Sequence, residues 1–210
     1  MSGAEHYLTS HGVNLDLAKE AGVRWDDGNI YFRYEPVNGS AYERIRSLFD
    51  GICRQPAGKP LDLYWPLGQA NKATILLCEG ESDALAAASI LDRSDHPMLR
   101  GMCPVGVPGA SAPANRMARH ILSLKCGPVY LAFDPDEAGR KATERWVLAL
   151  ERIATRAIPV ELPEGKDLAD CLVEQGDEAE DWLANRLADF DAAADTTRMV
   201  QRAVKEMLAA

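Results

Sequence analysis

Two apolar runs in the middle of the chain each end in acid, and this repeated device restricts the fold more than any other feature. Residues 75–78 (ILLC) are too short for a helix and stop abruptly at Glu79 and Gly80. They read as a buried strand that delivers a carboxylate at its C-terminal end. In the following stretch Ser82 is expected to cap a helix whose apolar face is Ala84, Leu85, Ala88 and Leu91. Asp83 falls in its first turn, near the positive end of the helix dipole. Residues 129–133 (VYLAF) repeat the pattern, with Asp134 and Asp136 at the strand end and Gly139 just beyond. Strand, acid and helix, twice over, predict a parallel α/β sheet carrying its carboxylates on one edge, where open α/β folds keep their sites.

Carboxylates gathered in this way repel one another unless a cation lies between them. Hard oxygen donors suit Mg²⁺ or Mn²⁺, which is held by a few carboxylates and completes its shell with water and substrate phosphates. Taken singly, each fragment has an ordinary reading: a solvated Glu at a strand end, or a turn made by Asp-Pro-Asp. Their joint occurrence after strands and before helices favours the metal.

EGESDALA, DPDEAGRKA and the later LPEGKDLADCL resemble, in that order, the motifs of the Toprim domain shared by DnaG-type primases, type IA and type II topoisomerases and some small nucleases. Within that group the chain is most similar to the primase core of phage primase-helicases and their Twinkle-type relatives. The resemblance implies a Toprim fold with about four parallel strands flanked by helices. It implies template-directed synthesis of short RNA primers from nucleoside triphosphates on single-stranded DNA, with Mg²⁺ or Mn²⁺ and a replicative helicase as possible partner. It marks Glu79, Asp134 and Asp136 as catalytic metal carboxylates, with Asp83 and Asp167 beside them. Lys166 and Arg140 would face nucleotide phosphates, and Gly109 and Ser111 lie in a small-residue loop open to nucleotide.

The chain divides by pattern into residues 1–72, an α+β lobe; 73–172, the catalytic unit; and 173–210, a helical extension. In the first, two short helices break at Gly12, with Asn14 capping the second and Gly22 ending it. Two strand-like runs then meet at Asn38-Gly39, a strong hairpin signal, and Pro36 assigns the first of them to an edge. Alternation puts Tyr42, Arg44, Arg46 and Leu48 on one face. Arg44 and Arg46, with Arg33 on the neighbouring strand, are candidates to grip nucleic-acid phosphates; the alternative is a solvated edge. Residues 51–73 are a Pro- and Gly-rich connection. Gly58-Lys59 is not a phosphate loop, since Cys53 stands where that motif needs its first Gly and Pro60 where it needs Ser or Thr. Tyr64 and Trp65 are read as packing residues. Further strands are expected at 102–107 and 157–162, and a helix at 114–124. In the extension, Trp182, Leu183 and Leu187 form one apolar stripe, and Met199, Val200, Val204, Met207 and Leu208 another.

The chain has room for a real core, with an apolar content of 47% and a charged content of 26%, ordinary for a globular protein. No apolar run approaches a membrane span and the amino end lacks the pattern of a signal peptide, so a cytoplasmic protein without membrane association is expected. The five cysteines are scattered without a CxxC pair, which suggests free thiols and no zinc ribbon. The net charge of -9 is distributed unevenly: eight basic against nine acidic residues in 1–72, eleven against fourteen in 73–172, and four against nine in 173–210. Template affinity is therefore expected to be weak and salt-sensitive. Two other readings stay open: a metal-dependent Toprim nuclease, and a non-catalytic replication adaptor that binds nucleic acid or a helicase.

Overall fold

The computed structural model describes residues 1–36, 39–68, 74–124 and 126–209, the side chains of 201–209 excepted. In chain order the elements are α1 (Gly3–Ser10), α2 (Leu15–Glu20), β1 (Arg24–Trp25), β2 (Asn29–Tyr34), β3 (Tyr42–Ser47), β4 (Cys53–Arg54), β5 (Thr74–Cys78), α3 (Glu81–Leu91), β6 (Met102–Gly106), α4 (Ala114–Ser123), β7 (Val129–Ala132), α5 (Glu137–Glu151), β8 (Ala157–Pro159), α6 (Leu168–Gln175), a 3₁₀ turn (Gly176–Glu178) and α7 (Ala179–Ala209). Two four-stranded sheets result, an antiparallel one in the order β1-β2-β3-β4 and a parallel one in the order β6-β5-β7-β8.

The parallel sheet is covered on both faces, which is why its strands are apolar throughout. Ile75 and Leu77 of β5 pack with Met117, Ala118 and Ile121 of α4 and with Trp146 of α5. Leu76 and Cys78 point the other way, into a cluster with Leu85 and Ala88 of α3 and Leu183 and Leu187 of α7. The same cluster takes in Ile30, Phe32, Tyr34 and Tyr42 of the small sheet, so one apolar core runs under both sheets. Tyr64, fully buried, pairs its backbone with Gly106 at the end of β6 and joins the two. At roughly 1.5–3 kcal/mol for each large side chain buried, this shared core fixes the sheets against each other.

Several expectations are met: Asn14 caps α2 through its side chain, and Gly12 and Gly22 adopt positive φ at the ends of the first two helices. All five cysteines are free. Others need correction. Pro36 does not mark an edge strand; it lies beyond β2, and β2 is an interior strand because the two-residue β1 pairs along its outer side. Ser82 does not cap α3. The helix begins at Glu81 after an extended Gly80, with no side-chain cap, and the Ser82 hydroxyl instead meets that of Tyr7 at 3.2 Å. The strand expected at 157–162 is only three residues long. Asn38 lies outside the described residues, as do the side chains of Val204, Met207 and Leu208. Met199 and Val200 are exposed. Among the described residues no helix is long and apolar enough to cross a membrane.

Candidate active-site cleft

At the C-terminal edge of the parallel sheet a cleft of about 270 Å³ gathers side chains from distant parts of the chain. Glu79 leaves the end of β5, Asp83 comes from the first turn of α3, Asp134 follows β7, and Asp167 is the cap of α6. The small lobe adds Tyr7, His11, Arg44, Arg46 and Cys53 to the lining.

The acids are held from behind by backbone amides. The Asp134 amide donates to Glu79 Oε2 at 3.3 Å, and the Ala169 amide donates to Asp83 Oδ1 at 3.1 Å. Asp167 accepts the Asp170 amide at 2.7 Å. Burial, followed by the charges of Asp134 and Asp136, pushes the Glu79 carboxyl up to about 7. Burial and then Asp167 raise Asp83 to about 7, and burial followed by Asp167, Asp136 and Asp170 raises Asp134 to about 6. Removal from water and mutual repulsion both disfavour the charged forms.

An all-oxygen set of half-buried, repelling carboxylates fits a hard divalent cation in its chemistry. Among the described residues, however, no three His, Cys, Asp or Glu side chains stand close enough together to hold an ion as they are. Asp136 is exposed and does not line the cleft; its Oδ1 accepts the Gly139 amide at 2.7 Å and caps α5. It acts on Glu79 and Asp134 through its charge.

The other sequence candidates are scattered. Arg44 and Arg46 do reach the cleft, but Arg44 is committed: its Nη1 donates to Glu81 Oε1 at 2.5 Å, with Glu81 buried and Arg44 largely so, and the Tyr34 hydroxyl donates to the same oxygen at 2.7 Å. Arg46 lies over the Tyr7 ring at 5.0 Å. Arg33 sits on the opposite face of the small sheet, in register with Glu43 and paired with Glu35, beside a separate cavity of about 620 Å³. Lys166 is turned away to Glu174, and Arg140 donates to the Pro135 carbonyl. Arg140 lines a cavity of about 500 Å³ that shares Asp134 with the cleft. Gly109 lines the cleft with φ of +91°, its amide 3.2 Å from the Glu79 carbonyl, whereas Ser111 is exposed outside it.

Four residues of this arrangement escaped the sequence reading. Tyr7 and His11, whose ring centroids are 4.0 Å apart, lie some seventy positions before Glu79 and carry no motif. Glu81, placed before the helix by the expected Ser82 cap, opens α3 instead. Gly139 is the position at which α5 meets the strand ends: a Cβ there would lie 2.1 Å from the Asp134 carbonyl oxygen and 2.9 Å from Glu79 Oε2. The Gly following Asp-Pro-Asp was the only available sign.

Residues 76–172 match the family model described as Toprim-like. They form a Toprim domain. Compared with curated protein sequences, the chain matches none. Among solved structures, the primase fragment of the bacteriophage T7 primase-helicase is similar at 25% identity and a TM-score of 0.64, over 81% of this chain and 70% of that one. The primase domains in a bacteriophage T7 lagging-strand polymerase complex, bound there to an RNA/DNA hybrid and dTTP, are also 25% identical, with a TM-score of 0.65 over 84% and 88% of the two chains. The DnaG catalytic core shares the fold at 18% identity and a TM-score of 0.62, over 87% and 72%. The Toprim domain and the lobe packed against it thus have the fold of primase cores.

Proposed function

We propose that this chain is a DNA primase core that joins nucleoside triphosphates into short RNA primers on a single-stranded DNA template. The observation that carries this reading is the cleft in which Glu79, Asp83, Asp134 and Asp167 share one space with Arg44 and Arg46 of the small lobe. The likeness to primase structures extends over 81% and 84% of this chain, the small lobe included, which supports a primase over a nuclease or an adaptor. Residues 73–172 act as the catalytic unit, residues 1–72 as the template-side lobe and 173–210 as a helical extension.

Glu79, Asp134 and Asp83, with Asp167 and the exposed Asp136, would hold Mg²⁺ or Mn²⁺. Bound there, the cation supplies charge neutralisation at the triphosphate and a lowered pKa for the primer 3′-hydroxyl. The chain's own part is positional. Amides behind Glu79 and Asp83 fix each carboxylate, Gly109 leaves room for a nucleotide to approach, and Arg46 offers its guanidinium to a phosphate. Arg44 forms the inner wall. Arg140 and Lys166, at the rim, would reach triphosphate oxygens only by leaving Pro135 and Glu174. The T7 relatives, one from a primase-helicase and one bound to an RNA/DNA hybrid and dTTP, support a template, a nucleotide and a helicase as partners.

The test incubates the protein with single-stranded templates, labelled nucleoside triphosphates and Mg²⁺ or Mn²⁺, beside Glu79→Gln and Asp134→Asn. New oligomers that vanish in both variants are expected. Degraded template instead would favour a nuclease, and strand binding with neither outcome an adaptor.

A further inference from the structure

Away from the acids, one stretch of the Toprim domain is left with a net positive charge. Residues 96–133 contain no Asp or Glu, although the chain as a whole carries 32 of them. That stretch includes all of α4, which buries Ala114, Met117, Ala118 and Ile121 and turns a basic face outward. Arg116, Arg119 and His120 on this face line a second cleft, of about 410 Å³, with Pro60, Leu61 and Asp62.

The two arginines differ from those of the protein that are held by acids. Arg24, Arg33, Arg44, Arg54, Arg100 and Arg156 are each paired with an acid. Arg116 and Arg119 are exposed and form no ion pair among the described residues. The one acid in the cleft, Asp62, is engaged by His120 at 3.5 Å and by the Leu63 amide at 2.8 Å. Strand β3 links the two clefts. Tyr42 and Arg44 are alternate residues on one face of β3, about 7 Å apart. Arg44 lines the carboxylate cleft, while the Tyr42 hydroxyl donates to the Pro60 carbonyl at the wall of the second, 2.8 Å away.

We propose that the α4 cleft binds the phosphate backbone of a single-stranded nucleic acid that continues into the carboxylate cleft, with Arg116 and Arg119 each on a phosphate. A guanidinium fork matches phosphate oxygens, and in a chain of net charge -9 a face whose one acid is already engaged is where a polyanion can run with least repulsion. The proposal rests on the proposed function only in that a strand enters the carboxylate cleft; it requires no catalysis.

The experiment measures binding of a labelled single-stranded oligonucleotide to the full chain by fluorescence anisotropy across a salt series, without divalent metal. It compares wild type, R116E/R119E, the milder R116Q/R119Q, and R93E/R100E, which changes the net charge equally on exposed residues elsewhere. Losing two phosphate contacts lowers the slope of log affinity against log salt by about 1.4 in R116Q/R119Q, with affinity down about tenfold at low salt. R93E/R100E should retain the wild-type slope. The proposal is overturned by an unchanged slope in both α4 variants, by an equal change in R93E/R100E, or by a wild type that binds no strand. An oligoaspartate of equal charge that binds as tightly as the oligonucleotide, and is lost in the same variants, overturns it in favour of an acidic protein segment. Strand binding that depends on Arg116 and Arg119 in a protein that makes no primers would uphold this inference and sink the proposed function alone.

Discussion

Substituting Ala for Gly139 tests whether the close approach of α5 to the strand ends sets the site. Gly139 lies in the first turn of α5, donates its amide to Asp136 at 2.7 Å and is buried. On helix propensity alone Gly139→Ala should stabilise by about 1 kcal/mol. Its Cβ would lie 2.1 Å from the Asp134 carbonyl oxygen, whereas ordinary contact begins at 3.4 Å. Backbone must therefore move by more than about 1 Å, because a carbonyl cannot rotate away as a side-chain tip can. Overpacking of this kind costs about 1–3 kcal/mol, which outweighs the propensity gain. The net loss is up to about 2 kcal/mol, so the expected outcome is a Tm lowered by up to about 8 °C. Primer synthesis should fall about a hundredfold even where the protein is folded, since the displaced groups are Asp134 and Glu79 and a 1 Å error in positioning costs about that much. Calorimetry and a primer assay on the same preparation read both. A variant that melts higher than wild type and keeps its activity would show that the contact does not constrain the site.

Three other perturbations follow from the same geometry. Glu81→Ala leaves the Arg44 guanidinium buried without its partner and should cost about 3–5 kcal/mol in urea unfolding, while E81L/R44M together should cost less than the two singles combined; a cost under about 1 kcal/mol for Glu81→Ala would show the pair to be solvated. The carboxyls of Glu79 and Asp83, raised to about 7, and of Asp134, raised to about 6, bind protons in the folded protein that the unfolded chain releases near pH 4. Their contribution is therefore favourable below about pH 4 and is lost as pH rises towards 7. Metal-free protein should melt lower at pH 7.5 than at pH 5, and Mg²⁺ should raise the Tm more at the higher pH; a Tm that does not change with pH or Mg²⁺ refutes the cluster. Gly106→Ala would bring a Cβ to 2.8 Å from the Gly80 carbonyl oxygen, so it should destabilise by about 1–3 kcal/mol, measured by thermal melting.

The elements of the Toprim domain were legible because their signals are local. A four-residue apolar run ending in acid, a small-residue helix after it and the repeat at Asp134 are patterns that neighbouring side chains enforce on one another. Helix ends were less so: Ser82 has the chemistry of a cap, yet Gly80 took that position and left Ser82 to meet Tyr7. Arg33, Arg44 and Arg46 looked alike as basic strand residues. Burial separated them, because Arg44 lies under the small lobe against Glu81 while Arg33 faces the opposite side of the sheet.

The order of the strands and acids along the chain, the apolar character of strands buried on both faces, and the net acidity with its acid-free middle stretch are properties of the sequence by itself. Tertiary packing decided which acids meet. Asp83 and Asp167 share a cleft because α3 and α6 pack side by side, and Asp136, itself one of the favoured acids, turned out to cap a helix. It also brought Tyr7 and His11 to the site. The reason is one of range: backbone preference and hydrophobic period act over a few residues, whereas the electrostatics of a cleft depends on distances set only when the two sheets close over a common core.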